Sequence, residues 1–172
     1  MKALFIVLFS VALSIYTYAQ DSAKAYYTAV VKVDSSTKAE LYTKARSWFA
    51  KTYNSSKSVI QMDDKDAGEI VGRGAAEAYI NAGLGVKLKM WVQYTLAVFM
   101  KDGKYKYEYN VTGMEPSDPK NQWSRDYNYY LDKSYSGKKA GTSLVGDVEA
   151  DKNALLASLE TAMKAKSTTS DF

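Results

Sequence analysis

Five aromatic side chains, Trp91, Phe99, Trp123, Tyr129 and Tyr130, are the residues whose type and placement best suit recognition of a ligand. Aromatic surfaces stack on sugars and fill peptide grooves. The alternative is that the 123–135 stretch packs over an edge of a sheet. Acidic residues offer a second chemistry. Asp63, Asp64, Asp66 and Glu69 cluster within one short segment. A calcium loop of the EF-hand kind needs an acid at its twelfth position, which counted from Asp64 is Ala75. The cluster therefore reads as a solvated hairpin turn. Glu69, Glu77, Glu108, Glu115, Asp118, Asp126 and Asp132 could supply a glycosidase pair, but none sits in a recognisable catalytic context. Gly68, Gly72 and Gly74 lack the Gly-Lys-Ser/Thr of a phosphate-binding loop.

Two absences narrow the chemistry. The chain has no histidine and no cysteine. Serine and cysteine triads, histidine zinc sites and disulfides are thereby removed. The residues favour a binding module over an enzyme and indicate no catalytic residue, metal or cofactor. The net charge of +4 is spread along the chain, with Lys138-Lys139 as its longest basic run. That pattern argues against nucleic acid as a partner.

The N-terminus reads as an export signal. Lys2 is followed by uncharged Ala3 to Tyr16, then Thr17-Tyr18-Ala19 before polar Gln20-Asp21. The apolar stretch of about fourteen residues is shorter than the ~20 that span a bilayer. Residues 1–19 are therefore expected to be cleaved, leaving no membrane anchor. No cysteine follows to carry a lipid. Residues 20–166 are expected to form one domain, long enough to bury a core, and residues 167–172 a disordered tail. A cysteine-free exported domain of this size points to a bacterial envelope.

The elements that must position these residues follow from periodicity. Ala25 to Val33 reads as a strand. Thr37-Lys38-Ala39-Glu40 is a capping box that opens a helix with Leu41, Ala45, Trp48, Phe49 and Thr52 on one side. Lys57 to Met62 and the segment from Glu69 read as strands around a DDKDAG turn. Gly72 and Gly74 mark a bulge or a close backbone approach. From Leu84 to Met100 every second residue is apolar or tyrosine. Asp102-Gly103 then predicts a type I′ hairpin. This register places Met100 opposite Tyr105, Val98 opposite Tyr107, Leu96 opposite Tyr109 and Tyr94 opposite Val111. On the other face Phe99 meets Lys106, Ala97 meets Glu108, Thr95 meets Asn110 and Gln93 meets Thr112. Pro116 and Pro119 end the strand, and Trp123 to Tyr135 has no firm period. Ser136 to Gly146 reads as a flexible link, and Asp147 to Lys166 as a last helix carrying Val148, Leu155, Leu156, Leu159 and Met163.

The order strand, helix, strands, helix predicts an α+β fold: an antiparallel sheet of about five strands with two helices on one face. The other face would stay open, lined by Tyr26, Val30, Trp91, Phe99 and lysines. Three segments, YYTAVVKV, KAELYTKARSWFAKTYNSSKSVIQMDDKDAGEIVGRG and YTLAVFMKDGKYKYEYNVTG, occur in that order between Tyr26 and Gly113. On them the chain resembles a family of secreted bacterial domains of unknown function with a TATA-binding-protein-like fold. The resemblance implies that fold and a periplasmic or secreted location in the Gram-negative envelope. It implies no activity, catalytic residue or ligand. The expected role is an exported, non-catalytic module that binds an unknown envelope ligand or protein through the open face and the 123–135 region. The alternatives are a carboxylate-dependent envelope hydrolase and a structural subunit of an envelope complex. The sequence leaves the oligomeric state open.

Overall fold

The structure is a computed structural model that describes residues 25–53, 59–120, 125–132 and 137–165. The export signal, Trp123, Tyr135 and the C-terminal tail lie outside the described residues. The described elements are β1 (Tyr26–Lys32), α1 (Lys38–Thr52), β2 (Val59–Asp64), β3 (Glu69–Gly83), β4 (Val86–Lys101), β5 (Lys104–Pro116), α2 (Tyr127–Leu131) and α3 (Lys139–Lys164). The five strands form one sheet in the order β1-β5-β4-β3-β2, with every neighbouring pair antiparallel.

β1 and β2 are consecutive strands at opposite edges, so α1 must carry the chain across the sheet. Four inter-strand steps amount to about 19 Å. The 15 residues of α1 reach about 22 Å as a helix, which matches that span. The capping box sets where α1 starts. The Thr37 N–H donates to the Glu40 carboxylate at 2.8 Å, and the Glu40 N–H donates to the Thr37 hydroxyl at 3.3 Å. Leu41, Tyr42, Ala45, Trp48 and Phe49 then face the sheet.

The β4–β5 register agrees with the alternation from Lys101 opposite Lys104 down to Tyr94 opposite Val111. It departs at the next pair. Gln93 lies opposite Gly113 rather than Thr112, because a bulge falls between Gln93 and Tyr94. The turn also differs from type I′, which needs two left-handed residues. Only Gly103 has a positive φ, of 72°. The β1–α1 loop explains this. The Lys38 N–H donates to the Asp102 carboxylate, and the Gly103 N–H donates to the Ser36 carbonyl. These tertiary bonds fix the turn against its local preference.

Three further expectations are corrected. Leu84 is not in β4 but at the tip of the β3–β4 hairpin, where it is exposed. α3 begins at Lys139, so residues 139–146 are helix rather than link, and Leu144 is buried. Part of the aromatic stretch forms the short helix α2, capped by the Asp126 carboxylate, which accepts from the Tyr129 N–H. The helices therefore number three among the described residues.

All three cover the same face. α1 and the C-terminal half of α3 close a cluster with Ile70, Leu96, Val98, Met100, Tyr105 and Tyr109. α2 and the N-terminal half of α3 close a second cluster with Ala78, Ile80, Met90 and Val92. A part-buried ion pair on α3 is tied to the edge strand through Tyr27. Lys152, 5% exposed, pairs with Glu149 at 2.7 Å and sits 3.2 Å from the centre of the Tyr27 ring, whose hydroxyl also donates to Glu149.

Close approach explains Gly72. A Cβ there would lie 2.7 Å from both the Phe49 and the Tyr53 rings. Gly72→Ala should therefore destabilise the fold by about 1–3 kcal/mol through overpacking. Gly146→Ala should instead stabilise it by up to about 1 kcal/mol, since its Cβ would meet nothing within 4 Å on α3. Urea unfolding of the two variants checks both signs.

Candidate functional site

The uncovered face is read off the same registers. Trp91, Gln93, Thr95, Ala97, Phe99 and Lys101 point to it from β4. Their neighbours are Glu69, Val71, Arg73, Ala75 and Glu77 on β3, and Lys104, Lys106, Glu108 and Asn110 on β5. Tyr26, Thr28, Val30 and Lys32 complete it at the β1 edge. Val30 is 60% exposed and Tyr26 is exposed on the same edge strand, while Val59 and Met62 are exposed at the opposite, β2 edge. Val59 and Met62 were not legible as members of this face. A bulge between Ile60 and Met62 turns both residues to it, Val59 opposite Arg73 and Met62 opposite Val71. A plain alternation through Val59 and Ile60 would put Met62 on the helix-covered side.

Trp91 and Phe99 are half-buried on this face, each beneath a lysine. The Lys89 ammonium stands 4.7 Å from the Trp91 ring centre, and that of Lys106 stands 4.7 Å from the Phe99 ring centre. Lys89 is also paired with Glu77 at 2.5 Å, and Lys106 with Glu108 at 2.6 Å. The bond to Glu108 raises the Lys106 pKa. Eight residues of strand put Trp91 and Phe99 about 27 Å apart, so they serve opposite ends of β4.

The other aromatic candidates do not join them. Tyr130 is 0% exposed and lies in the second apolar cluster with Tyr127. Tyr129 is half-buried on α2, edge-on to Tyr130, with the Arg125 guanidinium 4.0 Å from its ring centre. α2 lies on the helix-covered side of the sheet, so the five residues do not form one site. The physical reason is the i, i+3 spacing of Tyr127 and Tyr130, which turns both rings towards α3.

At the Phe99 end the open face dips into a hollow of about 290 Å³ lined by Val30, Phe99, Lys101, Lys104, Tyr105 and Lys106. Apolar and aromatic residues share its lining with three lysines.

Four of the seven acids considered for hydrolysis are engaged elsewhere. Glu77 accepts from the Tyr79 hydroxyl as well as from Lys89, Glu108 binds Lys106, and Asp126 caps α2. The Asp118 carboxylate accepts from the Lys120 N–H at 3.0 Å. In the acidic turn, Asp63 binds Arg46 at 2.7 Å and accepts from the Tyr42 hydroxyl, whose pKa it raises. The Asp64 carboxylate accepts from the Ala67 N–H at 2.8 Å. These side chains hold the turn and dock it on α1.

Two solved structures share this architecture. One is a DUF4468 family protein from Bacteroides ovatus ATCC 8483, 16% identical, with 87% of this chain and 91% of that chain covered and a TM-score of 0.62. The other is a TBP-like protein from Parabacteroides distasonis ATCC 8503, 17% identical, with 84% and 95% covered and a TM-score of 0.64. At such identities the likeness shows the fold alone. No curated protein matches the chain. The family model described as a domain of unknown function (DUF4468) with TBP-like fold matches residues 27–112. That span takes in β1, α1 and the four-strand meander up to the β5 bulge, the same elements that build the open face, and the chain therefore belongs to the DUF4468 family.

Proposed function

We propose that this chain is an exported envelope protein whose domain binds a ligand or partner, without catalysis, through the uncovered face of its sheet. The observation that carries this reading is the asymmetry of the two faces. The described helices cover one, while the other presents Tyr26 and Val30 to solvent at the β1 edge and Val59 and Met62 at the β2 edge, with half-buried Trp91 and Phe99 on β4 between them. Exposed apolar patches mark interaction surfaces, and this face carries a pair of exposed apolar or aromatic residues at each of its two edges. The hydrolase alternative has less support, because Glu77, Glu108, Asp118 and Asp126 already serve ion pairs, a cap and a turn.

Export is supported by the pattern of residues 1–19. Among the described residues no helix is long and apolar enough to cross a membrane. Expression of the full chain in a Gram-negative host, followed by N-terminal sequencing, should give a mature protein that begins at Gln20. An N-terminus at Met1 would contradict export by this signal.

Binding is tested by a thermal-shift screen of the purified protein against glycans, peptidoglycan fragments, lipids and peptides. A ligand at a hundred times its Kd adds about 2.7 kcal/mol, a rise of several degrees. One class should produce that rise, and Phe99→Ala or Trp91→Ala should abolish it in a protein that is still folded. A rise that survives both substitutions, or none with any class, would contradict the reading.

A further inference from the structure

We propose that the lysine-lined hollow at the Phe99 end is a binding site for a compact organic polyanion: a small molecule with two or more carboxylate, sulfate or phosphate groups beside an apolar portion. This rests on the open-face reading and names its ligand class.

The first observation is a row of like charges. Lys32, Lys104 and Lys101 lie side by side on β1, β5 and β4. Directly opposed residues on one face have Cβ atoms about 5 Å apart, and like charges there destabilise a sheet. Among the described residues none of the three lysines has a carboxylate within ion-pair distance. Lysines often guard exposed sheet edges, but only Lys32 stands on an edge strand. β5 and β4 are interior, so edge protection leaves Lys101 and Lys104 without an explanation.

The second observation is the recess itself. Lys101, Lys104 and Lys106 line the hollow of about 290 Å³ together with Val30 and Phe99; the Lys106 ammonium, paired with Glu108, stands over the Phe99 ring, which leaves Lys101 and Lys104 as its free cations among the described residues. Lysines that only solvated the surface would not need an apolar lining between them. A ligand with anionic groups on an apolar frame fits both parts.

The third observation sets orientation and size. The neighbouring cross-strand row, Val30, Lys106 and Phe99, continues to Glu69 and Asp64 on β3 and β2. The anionic groups must therefore point towards β5 and β1. Glu77, Glu108 and Glu115 stud the rest of the face. Glu77 and Glu108 already neutralise Lys89 and Lys106, and Glu115 stands opposite Trp91, so a long polyanion laid along the strands, such as a nucleic-acid backbone, would meet less free positive charge than a compact one at the hollow.

The test uses naphthalene disulfonate as the probe, with inorganic sulfate and dihydroxynaphthalene as controls, read by amide chemical shifts. The disulfonate should shift Val30, Phe99, Lys101 and Lys104 and bind more tightly than either control. Lys104→Gln should weaken it about tenfold, the size of one lost charged hydrogen bond. Lys87→Gln, at the far end of β4, should leave the affinity unchanged. Both substitutions are at exposed positions, and unfolding curves establish that the variants fold. Equal affinity for sulfate, an equal loss in Lys87→Gln, or no binding would overturn the assignment. Shifts centred on Trp91, Val59 or Met62 would overturn it and leave the open-face reading standing. A short DNA duplex that shifts residues along the whole of β4 would also overturn it, in favour of an extended polyanion.

Discussion

Tyr130→Ala should lower the stability of the domain by about 3–5 kcal/mol, the loss typical of a large aromatic removed from a core. The ring is wholly buried beside Met90, Val92, Leu144 and Val148, where α2, α3 and the sheet meet. A stability of about 5–15 kcal/mol is usual for a domain, so this substitution removes a large share of it. Phe99→Ala, on the open face, should cost much less, within about 1.5 kcal/mol. Urea midpoints of the two variants separate the cases. A Tyr130→Ala protein about as stable as the parent would place that ring on the surface, contrary to the packing described here.

High pH should unfold the protein in one steep step. Burial raises the pKa of Tyr53, Tyr105, Tyr109 and Tyr127 above the ordinary tyrosine value. In the unfolded chain each would lose its proton near pH 10, while in the folded chain each keeps it to higher pH. Above about pH 10 the folded state therefore binds more protons, and its stability falls as pH rises. The contribution is complete below that pH and is lost through the alkaline range. Each tyrosine adds a slope of about 1.4 kcal/mol per pH unit. Four together give about 5 kcal/mol per unit, enough to exhaust the stability of a domain within one to three units. Tyrosinate absorbance and circular dichroism should then change together. Tyrosines that ionise gradually near pH 10 in a protein that keeps its fold would contradict the burial.

The parts of this fold that were legible in the sequence are those where local chemistry and tertiary packing agree. The β4–β5 hairpin has an unbroken alternation from Met90 to Met100, and a one-residue slip would reverse every side chain. The capping box at Thr37 satisfies backbone donors locally, whatever packs above it. β3 was harder to read. Its buried positions, Gly72, Gly74, Ala76 and Ala78 among them, alternate in size rather than in hydrophobicity. They are small because Phe49, Tyr53 and Tyr94 press against the two glycines, which only the assembled fold reveals. The start of α3 was missed for a related reason. Residues 139–146 contain two glycines and a threonine, all weak helix formers, and burial of Leu144 overrides them.

The candidate site was legible in the same uneven way. Trp91, Phe99, Tyr26 and Val30 were placed on the open face by parity alone. Val59 and Met62 depend on a bulge, which shifts parity without a marker such as glycine or proline. Tyr129 and Tyr130 were joined to the site by residue type, and type does not distinguish an exposed aromatic from a buried one. The lysine row needed two registers at once, β1 with β5 and β5 with β4, and the first of these joins segments more than seventy residues apart in the chain.

The measurement that tests the central claim most directly is an amide chemical-shift map of the protein with whichever ligand class raises its melting temperature. The account predicts perturbations at Tyr26, Val30, Lys104 and the odd-numbered residues of β4 from Trp91 to Lys101, with α1 and α3 unmoved. Perturbations confined to the helices or to the Leu84 hairpin tip would contradict it.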